Sequence, residues 1–400
     1  MSAATPRVFF VNRVYWPSTA ATAQLLTDLA EGLAAHGWDV NIVAVGEAST
    51  RHNGVTIHRT GGCDRHGGLV SRAINYGRFR RGAQRLLASL VAPGDVVVVM
   101  TDPPLLGAAV TDIAVKCGAR VVHWIQDIYP EILTAHLGAI VALPLNPLRA
   151  LRDVAWLTAS RCVTLGEDMA QTVAARGVPA DRITILPNWA PRELHAPAAS
   201  ETIAARRAAW GVADKFVVAY SGNLGRVHEF TTVLDAAERL KARPDIVFLF
   251  IGTGARFAAV STAARSRGLD NLRLLPPESR ADLPAALAAA DAHLVTLKPG
   301  FARLVYPSKM AGVLAAGRPV LFVGPTDGEI ARLIAREECG AAFAPADGAA
   351  LAATIATWRA DPTIRAQMGL RARAAYERQF TLEAALAQWD AILHRAQAAP

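Results

Sequence analysis

This sequence predicts two α/β halves, each a Rossmann-like domain, and three observations predict them. Short β-rich runs alternate with Ala/Leu-rich helical stretches, the pattern of a parallel sheet joined by helical crossovers. Most of the β-rich runs are continuously apolar, which suits strands covered by helices on both faces. The alternation breaks at Leu186–Ser200, where LPNWAPRELHAPAAS carries three prolines, and then resumes. That break reads as an interdomain linker. A length of 400 residues suits two domains, at roughly 100–200 residues each.

In chain order, the first half predicts strands at Val8–Val11, Asn41–Val45, Val55–His58, Asp95–Met100, Arg120–Gln126, Cys162–Leu165 and Ile183–Leu186. Helices fall near Ala20–His36, Ser71–Ala92, Leu105–Lys116, Pro147–Thr158 and Glu167–Arg176. The second half predicts strands at Phe216–Tyr220, Ile246–Ile251, Leu272–Leu275, His293–Leu297, Pro319–Val323 and Ala341–Phe343. Its helices fall near Glu229–Ala242, Ala255–Ser266, Ala281–Ala290, Ser308–Ala316 and Glu329–Arg336. From Asp347 the tail reads as helical, and a last helix starts at Thr381 with Glu383 in its first turn. The expected division is residues 1–190, a linker at 191–200, a second domain at 201–380, and a helix at 381–400 packing back on the first domain. The two domains are expected to face each other across a cleft.

Composition excludes several classes. Charged residues make up 19% and the hydrophobic set 52%, so the chain can bury sizeable cores. The net charge of +8 is spread over both halves, with no basic tail to suggest nucleic acid. Cys63, Cys117, Cys162 and Cys339 lie far apart and form no metal-ligand spacing, so no metal site is expected. The start lacks a basic segment followed by an apolar one, which predicts no signal peptide and a cytoplasmic location. No run of about 20 apolar residues occurs, so no membrane span is expected.

In open α/β sheets ligands sit beyond the carboxyl ends of the strands, so the strand-to-helix turns carry the chemistry. The turn Tyr220–Glu229 places Gly222, Asn223 and Gly225 before a helix, with Arg226 as a bidentate cation and His228 near its end. Gly252 and Gly254 form a second close turn; the spacing is not the GxGxxG of a nicotinamide site. Ser308 and Lys309 open a nearly uncharged helix, a setting for holding a phosphate. At the end of the run VHWIQDIYPE, Gln126, Asp127 and Glu131 can orient or deprotonate a hydroxyl. His123, inside the apolar run, reads as a core histidine. Asp102 occupies the turn one strand away, where it could equally cap a helix.

These residues resemble the GT-B-fold glycosyltransferases of family 4, the retaining, nucleotide-sugar-dependent group, and within it the bacterial O-antigen and capsule fucosamine-transferase branch. The matching segments are VFFVNRVYWP, TDPPLLG, QDIYPE, ILPNWAP, YSGNLGRVHEF, FIGTG, LPPESRADLPAALAAADAHLVTL, YPSKMAGVLAAGRPV and DGEIARLI, spanning Val8 to Ile334. The chain departs from the family at several points. A pair of glutamates with seven residues between them is replaced by Leu304 and Gly312. In the phosphate loop Asn223 stands for an arginine and His228 for a lysine; Arg226 and Lys309 are the candidate substitutes. Gln126 falls where relatives place a histidine, and Ala20-Ala21 replaces a Gly-Gly.

The resemblance implies transfer of a sugar from a nucleotide diphosphate sugar, such as a UDP-sugar, to a glycan or lipid-linked acceptor in surface polysaccharide or lipopolysaccharide synthesis. It requires neutralising the leaving diphosphate, assigned to Arg226 and Lys309, with Asp127 on the acceptor. The base is placed near Pro276 and the ribose near Gly312, Lys309 and Glu329. No DxD-like carboxylate pair ends a strand, so a metal-independent hexosyl transfer without cofactor is expected. A nucleotide-sugar 2-epimerase and a non-catalytic nucleotide-sugar-binding subunit are the alternatives. Ser71–Leu90 carries Arg72, Arg78, Arg80, Arg81 and Arg85 and no acid, and Ile132–Leu148 is uncharged. Together they predict peripheral docking on anionic lipid and a polyprenyl-diphosphate-linked acceptor.

Overall fold

A computed structural model describes residues 5–62, 68–138 and 141–398; Cys63 lies outside them. The chain divides into two units. The first runs to Pro187 and includes Arg303–Tyr306 and the chain from Leu382; the second holds Asn188–Ala302 and Pro307–Thr381.

The first unit comprises β1 (Arg7–Val11), α1 (Ala21–Ala35), β2 (Asp39–Ala44), β3 (Thr50–His52), β4 (Val55–Arg59), α2 (Leu69–Leu90), β5 (Val96–Val99), α3 (Leu106–Lys116), β6 (Arg120–Ile125), α4 (Glu131–Leu137), α5 (Asn146–Thr158), β7 (Arg161–Thr164), α6 (Glu167–Ala174) and β8 (Ile183–Ile185). Its sheet has the order β3-β4-β2-β1-β5-β6-β7-β8. Every pair is parallel except β3 with β4. The four valines of β5 are all buried, since β-branched side chains fill a strand covered on both faces. The first unit's strands and helices fall close to their expected positions, apart from β3 and α4. Strand β3 is three largely exposed residues at an edge, too short and polar to show a period.

The second unit comprises α7 (Ser200–Ala209), β9 (Phe216–Ser221), α8 (Thr231–Arg239), β10 (Ile246–Ile251), α9 (Phe257–Ser266), β11 (Leu272–Leu275), α10 (Leu283–Ala288), β12 (Ala292–Thr296), α11 (Lys309–Ala315), β13 (Val320–Val323), α12 (Glu329–Glu337), β14 (Gly340–Phe343), α13 (Gly348–Ala360) and α14 (Pro362–Gln379). Its all-parallel sheet has the order β11-β10-β9-β12-β13-β14. All six residues of β10 are buried. The side chains of Asp347 and Asp361 cap α13 and α14, and Pro362 fits the first turn, where a missing N–H costs nothing.

The proline-rich stretch is fastened to the second unit. The N–H of Ala190 donates to the Phe380 carbonyl at 3.0 Å, and Arg373 reaches the Leu194 carbonyl at 3.2 Å. Residues expected as linker at 191–200 are thus a packed entry to that unit, and Ser200 already begins α7. The last helix, α15 (Leu382–Ala398), belongs to the first unit. It contacts α1, β5 and β6, and its buried Trp389 meets Trp124 edge-on at 4.8 Å. Aromatic edge contacts of this kind add to the burial of the rings.

Candidate functional site

In each sheet the order reverses direction once, and a ligand site is expected beyond the carboxyl ends of the strands there. In the second unit the reversal lies between β9 and β12. The turns after β9 and β10 pack backbone on backbone. The N–H of Gly222 donates to the Ile251 carbonyl at 2.9 Å, and that of Leu224 to the Thr253 carbonyl at 2.7 Å. Gly252 has φ +147°, and a β-carbon there would stand 2.1 Å from the Gly222 carbonyl oxygen. Only glycine permits that approach.

Lys309 enters this turn from the start of α11. Its Nζ stands 3.2 Å from the Tyr220 ring centroid. A β-carbon on Gly222 would lie 3.9 Å from the same Nζ. The stem is partly open, but Nζ is shut off from solvent and has no hydrogen-bond partner among the described residues. Burial drives the pKa of Lys309 well below that of an ordinary lysine. The ring face of Tyr220 partly offsets that cost by a cation–π contact. Tyr220 itself stacks on Phe250 at 5.5 Å and donates its hydroxyl to the Asn223 carbonyl at 2.8 Å.

His228 is buried, with Nδ1 2.6 Å from the Thr296 carbonyl. Burial first, and then Lys309, push its pKa down to about 3. It is therefore a neutral ring at physiological pH and cannot supply the charge of the lysine it replaces. Arg226 is exposed on the turn beside it. Lys298 and Arg256, absent from the expected set, complete the cationic group. The N–H of Lys298 donates to the Val227 carbonyl, and that of Arg256 to the Leu224 carbonyl, both at 2.9 Å. Burial and then Arg256 lower the Lys298 pKa. Lys298 follows the carboxyl end of β12, a position that marks it as a candidate from the sequence.

The other expected donor residues are more dispersed. Ser308 is exposed and makes no capping bond to α11, a helix of only seven residues, so Lys309 and the glycine turns carry the argument there. Gly312 is buried, and a β-carbon there would meet Leu287 and Leu194 at 3.5 and 3.6 Å. Its nearest surroundings are apolar, which does not suit the ribose contact expected of it. Pro276 is exposed just past β11. Glu329 is the first residue of α12, where an acid complements the helix dipole.

In the first unit the reversal lies between β1 and β5. There Arg13 Nε holds Asp102 Oδ1 at 3.0 Å, and the Arg13 N–H donates to the Asp102 carbonyl at 2.8 Å. Asp102 does not cap α3, whose cap position is Leu105. Asp127, two residues past β6, makes an isolated bridge to Val305 and lines a cavity of about 30 Å³ with His123, Tyr129 and Arg152. Burial and then Asp102 push the Asp127 pKa up to about 6. Gln126, immediately after β6, is buried. His123 bonds Thr111 at 3.0 Å, and burial pushes its pKa down to about 4, so it is the expected neutral core histidine. Glu131 is committed elsewhere. Arg152 grips it with two bonds of 2.8 Å, and Arg176 and Arg149 stand at 3.4 and 3.6 Å. Burial raises its pKa, but these arginines outweigh that and leave it low. Glu131 is a structural acid at the start of α4, not an open acceptor carboxylate.

Among the described residues no group of three or more His, Cys, Asp and Glu could hold a metal. Two Rossmann-like units, each a largely parallel sheet with alternating helices, form the GT-B fold. Residues 21–189 match the glycosyl transferase 4-like domain, and residues 203–375 match the glycosyl transferases group 1. The chain belongs to the GT-B glycosyltransferases. It is 32% identical over 42% of its length to WcaI of Escherichia coli strain K12, named for colanic acid biosynthesis glycosyl transfer. It is 29% identical over 67% of its length to WbjE of Pseudomonas aeruginosa, named as a glycosyltransferase. These matches span 42% and 67% of the two relatives' own lengths. Anabaena Alr3699/HepE in complex with UDP-glucose superposes with a TM-score of 0.73 at 18% identity, covering 97% of this chain and 99% of that one. WaaG, a glycosyltransferase involved in lipopolysaccharide biosynthesis, gives a TM-score of 0.73 at 16% identity over 96% and 99% of the two chains.

Proposed function

We propose that this chain is a retaining, metal-independent glycosyltransferase that takes a sugar from a nucleotide diphosphate sugar and builds a surface polysaccharide. The observation that carries the reading is Lys309, whose buried amino group has no hydrogen-bond partner among the described residues and is held against the Gly222 turn at the sheet's reversal point. A buried cation with no partner is costly unless a ligand supplies the counter-charge. A diphosphate supplies it, and Lys298, Arg256 and Arg226 add to the field. As the glycosidic bond breaks, negative charge grows on the leaving diphosphate, and these fixed cations stabilise it. Asp127 orients the acceptor hydroxyl, its raised pKa letting it accept a proton near neutrality. UDP is the preferred nucleotide in this reading, by analogy with the UDP-glucose complex of HepE.

The acceptor is proposed to be carried on a polyprenyl diphosphate at an anionic membrane face. The apolar face of α2 packs on its own sheet through Phe79, Ala83 and Leu87, while Arg78, Arg81 and Arg85 remain exposed. Exposed leucines cluster on the neighbouring helices, Leu133 and Leu137 on α4 and Leu148 and Leu151 on α5. Helix α3 contacts both α2 and α5, so the arginines of α2 and the leucines of α5 share one side of the sheet. Arginines attract anionic lipid at about 1 kcal/mol each, and exposed leucines gain by entering it.

The test is release of UDP from UDP-sugars, with EDTA present, with and without a polyprenyl-diphosphate glycan. Acceptor-dependent release that survives EDTA supports the reading. Conversion of the donor to an epimer with no acceptor present would replace it.

A further inference from the structure

A second site lies in the second unit, away from the cationic turns. A cavity of about 150 Å³ opens between α7, α10, the end of α11 and residues 194–198. Leu194, Ile203, Pro284, Ala288 and Ala315 give it apolar walls, and Arg318 is its only charged lining residue among those described. Ala288 lies before β12 and Arg318 before β13, so the cavity sits under the amino ends of the strands. Lys309 starts α11 and Ala315 ends it, so this cavity and the donor turns occupy opposite ends of that helix.

Arg318 is only partly satisfied. One terminal nitrogen donates to the Ala288 carbonyl, while Nε is buried with no partner among the described residues. The field around it is positive. Asp291, the acid that acts on it, is already paired with Arg207 at 3.0 Å, and Arg207 and Arg365 both act on Arg318 as like charges. Arg373 closes the neighbouring rim by holding the carbonyls of Leu194 and Ala315 at 3.2 and 2.9 Å.

An apolar cavity of this size accommodates a body of about six heavy atoms. A guanidinium with an unpaired N–H takes a carboxylate in preference to a neutral polar group. A strongly hydrated dianion would lose more solvation on entering apolar walls than one arginine returns. We propose that this cavity binds a small amphipathic monocarboxylate, its apolar body among the Ala, Leu, Ile and Pro side chains and its carboxylate on Arg318. The site is independent of the donor reading.

The experiment titrates hexanoate, 1-hexanol and inorganic phosphate into the intact chain by calorimetry, at concentrations up to about 10 mM. Hexanoate should bind about tenfold or more tightly than 1-hexanol. Arg318→Gln should bring the two to parity. Ala198→Trp, at an irregular lining position, should abolish hexanoate binding while leaving the circular dichroism spectrum and thermal midpoint near wild type. Should Arg318→Gln fail to fold, the Ala198→Trp and hexanol arms decide alone. Equal binding of hexanoate and hexanol, tighter binding of phosphate, full hexanoate binding by Ala198→Trp, or no hexanoate binding would each overturn the proposal.

Discussion

The two units repeat one architecture and place opposite chemistry at its reversal point. Beyond β1, β5 and β6 the first unit sets Asp102 and Asp127, with Arg13 holding the former. Beyond β9, β10 and β12 the second unit sets Lys298, Arg256, Arg226 and Lys309, whose Nζ has no hydrogen-bond partner among the described residues. Burial acts on both in the same direction, towards the neutral form, so it raises Asp127 to about 6 and depresses Lys309. A parallel sheet therefore supplies a place and not a charge. The turn residues decide whether that place receives an anion or handles a proton.

The largest expected effect is in the cationic unit. Lys309→Met should lower turnover by about 10²-fold or more, the scale of losing one transition-state donor. Arg226→Ala should fall in the same range, with folding intact in both variants by circular dichroism. Near-wild-type turnover in both would remove the contrast between the units.

In the acidic unit, Asp127→Asn should lose transfer and keep donor affinity, because its role lies on the acceptor. Loss of UDP binding instead would make it a structural or donor-side residue. Asp127 also predicts a pH dependence of stability. Its folded pKa of about 6 exceeds its ordinary value of 3.8, so the folded state holds the proton more tightly. Stability should fall as pH rises from about 4 to about 6 and then level off, and Asp127→Asn should flatten that slope in urea titrations.

A smaller effect separates structural from functional acids within the first unit. Glu131→Gln leaves buried Arg152 with Asp153 as its remaining carboxylate, and should cost about 2 kcal/mol of stability in denaturant titration. Donor affinity should be unchanged. A variant of normal stability and lost transfer would return Glu131 to the acceptor side.

Much of this contrast was legible in the sequence. Continuous apolar runs such as that of β10 located the strands, and strand-to-helix turns then pointed to Gly222, Gly252, Asp127 and Lys309. What escaped depended on packing between segments distant in sequence. Glu131 reads as an open carboxylate until α5 and α6 bring Arg152 and Arg176 to it. His228 stands where the family has a lysine, and its role as a neutral buried ring shows only in its packing against Thr296. Lys298 follows the end of a predicted strand, and the pairing of β12 with β9 is what brings it to the site. Helix α7 was masked by the prolines before it, and its amphipathic period is weak because none of its residues is buried.

The central claim is that Lys309, its charged form disfavoured by burial, receives the counter-charge of a diphosphate. Calorimetry of UDP binding at about pH 9, in buffers of different ionisation enthalpy, tests it most directly. An ordinary lysine is already protonated at that pH, and burial shifts Lys309 away from that form. The account predicts net proton uptake on UDP binding by the wild type, and less by Lys309→Met, which should also bind more weakly. UDP binding with no proton uptake, and equal affinity in Lys309→Met, would contradict it.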